Sequence, residues 1–420
     1  MTAPILLLGA LCAAAGLRTG SAAAPPASPQ RWTTTWAASP QAAWKSGPPG
    51  SYPDAAGRTI RERMRVTVGG DALQVRLSNE FGTGPLVIGS ATVGVPTGPG
   101  SVAPGSLKTL TFSGQKSIAV PPGAPVLSDP VEMHIAAGSD VSISLYCPQT
   151  RDLPLTDHAT GLRTAVISPP GDFTSNVNVP QASNTTSSLY VTALLVPRKP
   201  GQVAIVAFGD SITDGNRSAV DTLSNWPDDF ARRLAAAGLG EKIAIVNEGI
   251  GGNQLRHDFA GVSAEARFDR DALSIPGARY IVLLEGINDL GFPGAKMMGH
   301  LLAPPSAMPT ANDIIAAYRQ LITRAHDHGL KIIGATLTPW EGTDLPGYYA
   351  ALKEPVREAI NHWIRTSGEF DDVIDFDAVL RDPAHPHRLL PRYASSDHLH
   401  PSDAGYRAMA DAVNLSLFGK

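Results

Sequence analysis

The sequence predicts a chain in two parts: an all-β sandwich of jelly-roll type, then an α/β unit built as a doubly wound parallel sheet. Three observations predict this. From about residue 30 to 196, short alternating strands follow one another between turn residues, with no helical periodicity. From Val203 onward, short apolar runs alternate with amphipathic helical stretches. Between the two lies Pro197-Arg-Lys-Pro-Gly201, a connector too short to act as a long flexible linker, so the parts should pack on each other.

The first residues stand apart from both. Residues 4 to 17 are almost all apolar or small, and Ser21-Ala-Ala-Ala24 offers the small side chains a signal peptidase requires. Residues 1–24 therefore read as a signal peptide and the mature chain as secreted or periplasmic. The apolar run is too short to span a bilayer, and no later stretch approaches the roughly 20 residues needed. If Cys12 leaves with this segment, Cys147 is alone and no disulfide can form within the mature chain; after Ser144-Leu-Tyr146 it reads as a small buried hydrophobe.

The domain over 30–196 is justified strand by strand. Arg61 to Val68 alternates, Ala72 to Ser78 alternates again, and Gly69-Gly-Asp71 between them reads as a hairpin turn. Strands follow at Leu86 to Val95, Thr109 to Phe112, Val131 to Ile135, Val141 to Tyr146 and Tyr190 to Val196. Trp32 to Ser39 either adds a strand or runs across to the second domain. In the domain over 202–420, buried strands are expected at Val203 to Phe208, Ile243 to Asn247, Tyr280 to Leu284, Lys331 to Leu337 and Val373 to Phe376. Helices are expected at Asp228 to Ala237, Ala311 to His328, Leu352 to Arg365 and Ala404 to Leu417.

Ser211 follows the first of these strands through Gly209-Asp210, at the carboxyl edge where open α/β sheets place their ligand crevices. A serine hydroxyl is a poor nucleophile, so a catalytic Ser211 requires a base, an orienting acid and oxyanion donors. Asp397-His-Leu-His400 can supply the first two. Its carboxylate can hold His400 Nδ1, while Pro401 keeps His400 out of a helix and would set it at a strand-to-helix junction. His398 also adjoins Asp397 but should point elsewhere. After the second strand comes Glu248-Gly-Ile-Gly-Gly-Asn253, where Gly252 can offer a backbone N–H; after the third comes Gly286-Ile-Asn-Asp289, where Asn288 can offer a side-chain NH₂.

These four blocks, in this order over roughly residues 200 to 420, resemble the SGNH hydrolase superfamily, also called GDSL esterases and lipases. The resemblance implies a flavodoxin-like catalytic fold. Its implied roles are Ser211 as nucleophile, Asp397 and His400 as its partners, and an oxyanion hole of Gly252, Asn288 and the Ser211 N–H. No Gly-x-Ser-x-Gly occurs, which disfavours the α/β-hydrolase elbow. The pairing with a β-sandwich, and segments such as Leu77-Ser-Asn-Glu-Phe-Gly82, resemble a group of secreted bacterial esterases assigned to carbohydrate deacetylation. A short acyl ester on a carbohydrate is then the leading substrate. A lipase, arylesterase or thioesterase is the alternative, and a lectin-like protein with an inactive hydrolase half the alternative of another class.

The remaining residues have plainer readings. Asp210 and Asp214 should order the turn around Ser211, and Glu285 and Asp289 the loop around Asn288. His326-Asp-His328 and His385-Pro-His387 lack clustered partners at metal-ligand spacing, and serine esterase chemistry needs neither metal nor cofactor. A net charge of −4 with scattered basic residues argues against a nucleic-acid partner. The stretch from Gly291 to Pro309, with Phe292, Met297, Met298 and Leu301-Leu302, either walls the acyl or alcohol pocket or packs on the sandwich. Trp340, Tyr348 and Tyr349 either meet the substrate or serve as interface core.

Overall fold

A computed structural model describes residues 31–43, 55–148 and 155–418. The expected signal peptide and Cys12 lie outside the described residues. Up to residue 202 the described residues contain strands and turns and no helix. One antiparallel sheet runs Trp32–Ala37, Val191–Pro197, Gly70–Ser78, with both Pro125–Leu127 and Val131–Ile135 on the far side of Gly70–Ser78. The other runs Ser183–Thr185, Ala165–Pro170, Arg58–Arg65, Asp140–Cys147, Ser90–Gly94, Lys108–Thr109. Period-2 alternation feeds a shared core: Leu73, Val75 and Leu77 from the first sheet, and Ile60, Met64, Val93, Ile143 and Leu145 from the second, are all buried. Cys147 is buried in that core.

The hairpin expected at Gly69-Gly-Asp71 does not form. Arg58–Arg65 and Gly70–Ser78 belong to different sheets and do not pair. The link between them crosses the edge of the core: Val66 and Val68 are both fully buried, and the Thr67 N–H and hydroxyl donate to the Thr35 carbonyl of the opposite sheet. Alternation reports which face of a strand is buried, not which sheet holds it. The run from Leu86 to Val95 is likewise two strands, broken at Gly89.

Glu62, on Arg58–Arg65, accepts hydrogen bonds from the Leu189 N–H (2.6 Å) and the Ser188 hydroxyl (2.9 Å) inside this part. Burial, only partly offset by those two bonds, pushes its carboxyl up to about 8. An unfolded glutamate ionises near 4.5, so between 4.5 and about 8 the folded state holds the extra proton and stability falls as pH rises. The difference in Tm between wild type and Glu62→Gln should therefore shrink or reverse across that window. A difference that stays constant would mean that Glu62 is already ionised in the fold.

From Val203 the chain alternates strands and helices. The strands β1 (Val203–Gly209), β2 (Ile243–Gly249), β3 (Ala278–Leu284), β4 (Lys331–Ala335) and β5 (Asp372–Ile374) pair in parallel in the order β2-β1-β3-β4-β5. Ala204 to Phe208 and Ile281 to Leu284 are almost wholly buried, as strands covered on both faces must be. Helices α1 (Ser211–Asp214), α2 (Trp226–Ala236), α3 (Ala264–Phe268), α4 (Ile287–Gly291), α5 (Ala311–Asp327), α6 (Glu354–Thr366), α7 (Phe376–Leu380) and α8 (Asp403–Ala412) connect and cover the sheet. Sequence periodicity located α2, α5, α6 and α8 and missed α1, α3, α4 and α7, which are about one turn long. Thr310 and Asp313 close a reciprocal capping box that starts α5.

The two parts are continuous in packing. Ala204 and Ala244, at the starts of β1 and β2, join the core of the strand-rich part. Trp32–Ala37 both pairs in its own sheet and reaches the second part, where Thr34 N–H donates to the Pro276 carbonyl. Beyond it the Ser39 hydroxyl donates to Glu248 Oε2 at 2.6 Å, and Gln41 Nε2 to the Ala260 carbonyl.

Candidate active site

The carboxyl ends of β1, β2 and β3 meet at Ser211. A Cβ on Gly209 would collide with the Leu284 carbonyl of β3 and with Thr213 Oγ1, so only glycine lets β1 turn here. Asp210 then caps α1, its Oδ1 accepting the Ile212 N–H at 2.9 Å. Burial pushes the Asp210 carboxyl up to about 7. Asp210 takes no part in the chain of bonds at Ser211 and serves the turn, as Asp214 does in part.

Ser211 Oγ lies 2.8 Å from His400 Nε2, and His400 Nδ1 lies 2.7 Å from Asp397 Oδ2. Because Nδ1 faces a carboxylate, it carries the proton and leaves Nε2 to accept from the serine hydroxyl. Asp397 Oδ1 accepts from the Leu399 N–H, the His400 N–H and the Ser395 hydroxyl, and Oδ2 also accepts from Arg217 Nε at 2.8 Å. Burial alone would raise its pKa, but the His400 ring and these N–H donors outweigh burial and hold the carboxyl well below the usual carboxylate range. His398 points into solvent, with a left-handed φ of 56°. No strand precedes His400, contrary to expectation: β5 is followed by α7 and a small hairpin, so His400 hangs on a loop. That loop is closed by the Ser395 N–H bond to the His400 carbonyl and by Ser402, which caps α8.

Three donors converge on the same edge. The Ser211 and Gly252 N–H groups donate to no other described residue. Asn288 Nδ2 spends one hydrogen on the Asn253 carbonyl at 2.7 Å, which leaves the second free, and its Oδ1 accepts from the Tyr348 hydroxyl at 2.7 Å. That hydroxyl fixes which end of the amide is the donor. Tyr348 is held in turn by Lys353, whose buried ammonium donates to the carbonyls of Gly291, Gly347 and Tyr348. Behind the loops, Arg267 is fully buried; it donates to Asn253 Oδ1 and to the carbonyls of Glu248 and Gly209, and lies 4.0 Å over the Phe208 ring. Asp289 accepts from the Leu255 and Arg256 N–H groups and so ties the loop after β2 to α4. Glu285 is fully buried close by, where burial first and the neighbouring Asp210 second raise its pKa well above the usual value.

Sequence reasoning found Ser211, Gly252, Asn288, Asp397 and His400 but not Arg217, Arg267, Tyr348 or Lys353 as parts of the site. Trp340 and Tyr348 are core, not a platform for substrate: both are buried, and the Trp340 indole donates to Glu354. Tyr349 is half-buried beside Trp340. In the stretch from Gly291, Phe292 is buried between Tyr348 and Phe259, while Lys296–Met297 and His300–Leu301 form a hairpin that exposes Met297, Met298 and Leu301. Among the histidine pairs, His326 bonds Asp371 and His328 the Arg324 carbonyl. His387 approaches Glu358 and Glu354, but the Glu354 carboxylate is already bonded by Trp340 and Arg357.

A serine bonded to an imidazole that is bonded to a carboxylate, at the edge of a parallel sheet, is an arrangement that can carry out acyl transfer. Residues 207–408 match the model of the GDSL-like lipase/acylhydrolase family, so the chain carries a domain of that family and is an ester-hydrolysing enzyme. Among solved structures it is similar to an acetylxylan esterase from Geobacillus stearothermophilus (22% identity, 51% of this chain and 94% of that one, TM-score 0.38). Others are the acetyl xylan esterase AlAXEase (20%, 50% and 97%, 0.37) and a GDSL-like lipase from Bacteroides thetaiotaomicron (15%, 50% and 84%, 0.34). No curated protein matches the chain.

Proposed function

We propose that the chain is a secreted serine esterase that hydrolyses short acyl esters, acetyl foremost, on carbohydrate. The observation that carries the proposal is the unbroken line from Ser211 Oγ through His400 to Asp397, beside the Ser211 and Gly252 N–H groups, which have no partner among the described residues. Ser211 attacks the ester carbonyl as His400 Nε2 takes its proton. Asp397 steadies the imidazolium, and the Ser211 N–H, Gly252 N–H and Asn288 Nδ2–H receive the oxyanion. His400 returns the proton to the departing alcohol, and water then hydrolyses the acyl-enzyme. A lectin-like role with a silent hydrolase half would not need this geometry.

Gly252 has a left-handed φ of 74°, and a Cβ there would stand 3.0 Å from Ala260 Cβ, so glycine suits this position. The carbohydrate alcohol rests on the pairing of a strand-rich half with this domain. We read residues 1–24 as a signal peptide, 30–196 as a jelly-roll-like sandwich and 202–420 as a flavodoxin-like domain, the last supported by the strand order β2-β1-β3-β4-β5. A second reading, a lipase or arylesterase, is favoured by the exposed Met297, Met298 and Leu301.

Acetylated glycans assayed beside p-nitrophenyl esters of rising chain length decide between the two. The first reading expects kcat/KM to be greatest for acetyl and for glycan esters; a maximum at long acyl chains would replace it with the second. Asn288→Ala should lower kcat by about 10² to 10³ with little change in KM, because its bond is realised in the transition state. A rise in KM at constant kcat would make Asn288 a substrate-positioning group instead.

A further inference from the structure

The strand-rich part touches the catalytic serine's own helix through a buried histidine. His158, at the end of the short strand Thr156–His158, is 7% exposed. Its Nδ1 lies 3.1 Å from the Ser39 carbonyl and its Nε2 3.1 Å from Asp214 Oδ1. Asp214 closes α1, three residues after Ser211, and is 2% exposed. Its other oxygen, Oδ2, accepts the Gly251 N–H at 2.9 Å. Asn247 Nδ2 donates to the Thr213 and Asp214 carbonyls, and a Cβ on Gly249 would collide with the Asp214 backbone, so the two segments are pressed together. One residue beyond Gly251 stands Gly252, whose N–H has no partner among the described residues.

Both ring nitrogens of His158 face groups that accept hydrogen bonds, a carbonyl and a carboxylate. A neutral imidazole has one N–H and could satisfy only one of them. A protonated ring satisfies both, and its contact with Asp214 is then charge-assisted, which fixes the Asp214 rotamer more firmly than a neutral bond would. Burial lowers the His158 pKa, but the Asp214 carboxylate and the Ser39 carbonyl outweigh it and the net direction is upward. Asp214 thus gives one oxygen to the strand-rich part, through His158, and the other to the loop after β2, through the Gly251 N–H.

We propose that His158 is a positioning residue for the oxyanion donors: from the strand-rich part it locks Asp214 in the rotamer that pins the Ile250–Gly251 peptide, the unit directly before the one that carries the Gly252 N–H, and so aims that N–H. The strand-rich part is then a component of the catalytic apparatus, not an appendage. This rests on the reading of Ser211 as nucleophile and Gly252 as oxyanion donor. His158 acts through Asp214 and the Ile250–Gly251 peptide, not by direct contact with the oxyanion donors.

The test uses the full chain with His158→Ala, His158→Gln and Asp214→Asn, and measures kcat and KM on p-nitrophenyl acetate, Tm, and the rate of inactivation by an organophosphonate. His158→Ala should lower kcat by about 10- to 100-fold, the scale of a small misplacement in an active site, with KM near wild type. Inactivation by the phosphonate, whose adduct places an oxygen in the same hole, should slow in proportion. His158→Gln, whose side-chain amide can still donate to Asp214, should recover part of the loss. In an Asn288→Ala background the His158 change should cost less than in wild type, because both act on one hole. If His158→Ala does not fold, the kcat–KM split and the coupling to Asn288 are read in His158→Gln and Asp214→Asn. Wild-type kcat in these variants, or a loss that follows Tm and adds independently to Asn288→Ala, overturns the proposal. Activity surviving in Ser211→Ala would instead overturn the catalytic reading beneath it.

Discussion

Ser211→Ala should fold as wild type does and lose ester hydrolysis to near background. The Oγ of this 4%-exposed serine bonds His400 Nε2, and without it no acyl-enzyme can form. The fold does not depend on it, because α1 is capped by Asp210 and the loop after β1 is held through the backbone: Ile250 N–H donates to the Gly209 carbonyl. The vacated space is one hydroxyl beside an imidazole, which costs about 1 kcal/mol or less. Some acceleration over water can persist from the oxyanion donors, on the order of 10³ in the best-studied serine hydrolases. A fluorescent organophosphonate should label Ser211 and no other serine, and circular dichroism should be unchanged. Labelling elsewhere with Ser211 untouched would sink the assignment.

The parts of this site that were legible in the sequence are those encoded locally. Gly209-Asp-Ser211 could be read because an apolar strand, a glycine and a polar capping residue fall within a few positions, and Asp397 and His400 because they stand three positions apart. Tyr348 was visible only as an aromatic on a loop; its hydroxyl acquires meaning from Asn288, 60 residues away. His158 finds Ser39 and Asp214 at separations of 119 and 56 residues, with no spacing rule to join them. Arg267 and Lys353 look like ordinary surface cations, yet each satisfies several carbonyl or amide oxygens of separate loops. Strand existence was legible for the same local reason, while sheet membership was not. The Gly69-Gly-Asp71 link looks like a hairpin until the burial of Val66 and Val68 shows the chain passing between sheets.

His400→Ala should cost about 10⁴ or more in kcat, whereas a change at His398 should cost little. Both histidines adjoin Asp397, but only His400 presents Nε2 to Ser211 Oγ while Nδ1 meets the carboxylate. His398 stands in solvent with φ 56°, a left-handed conformation, so His398→Asn is the better control: asparagine tolerates that backbone, and alanine would add strain. Asp397→Asn should also be severe, on the order of 10⁴ by analogy with triad aspartates elsewhere. Its side-chain oxygen can keep the bonds from the Leu399 and His400 N–H groups, while the new NH₂ meets Nδ1, forces the proton to Nε2 and removes the base. Because Asp397 is held well below the usual carboxylate range, it stays ionised as the medium turns acid, and its protonation does not set the acid limb of kcat/KM. The sign follows: protonated His400 cannot accept from Ser211, so activity falls as pH falls, and the limb should vanish with the remaining activity in His400→Ala. Should His398→Asn prove the more damaging change, the roles of the two histidines must be exchanged.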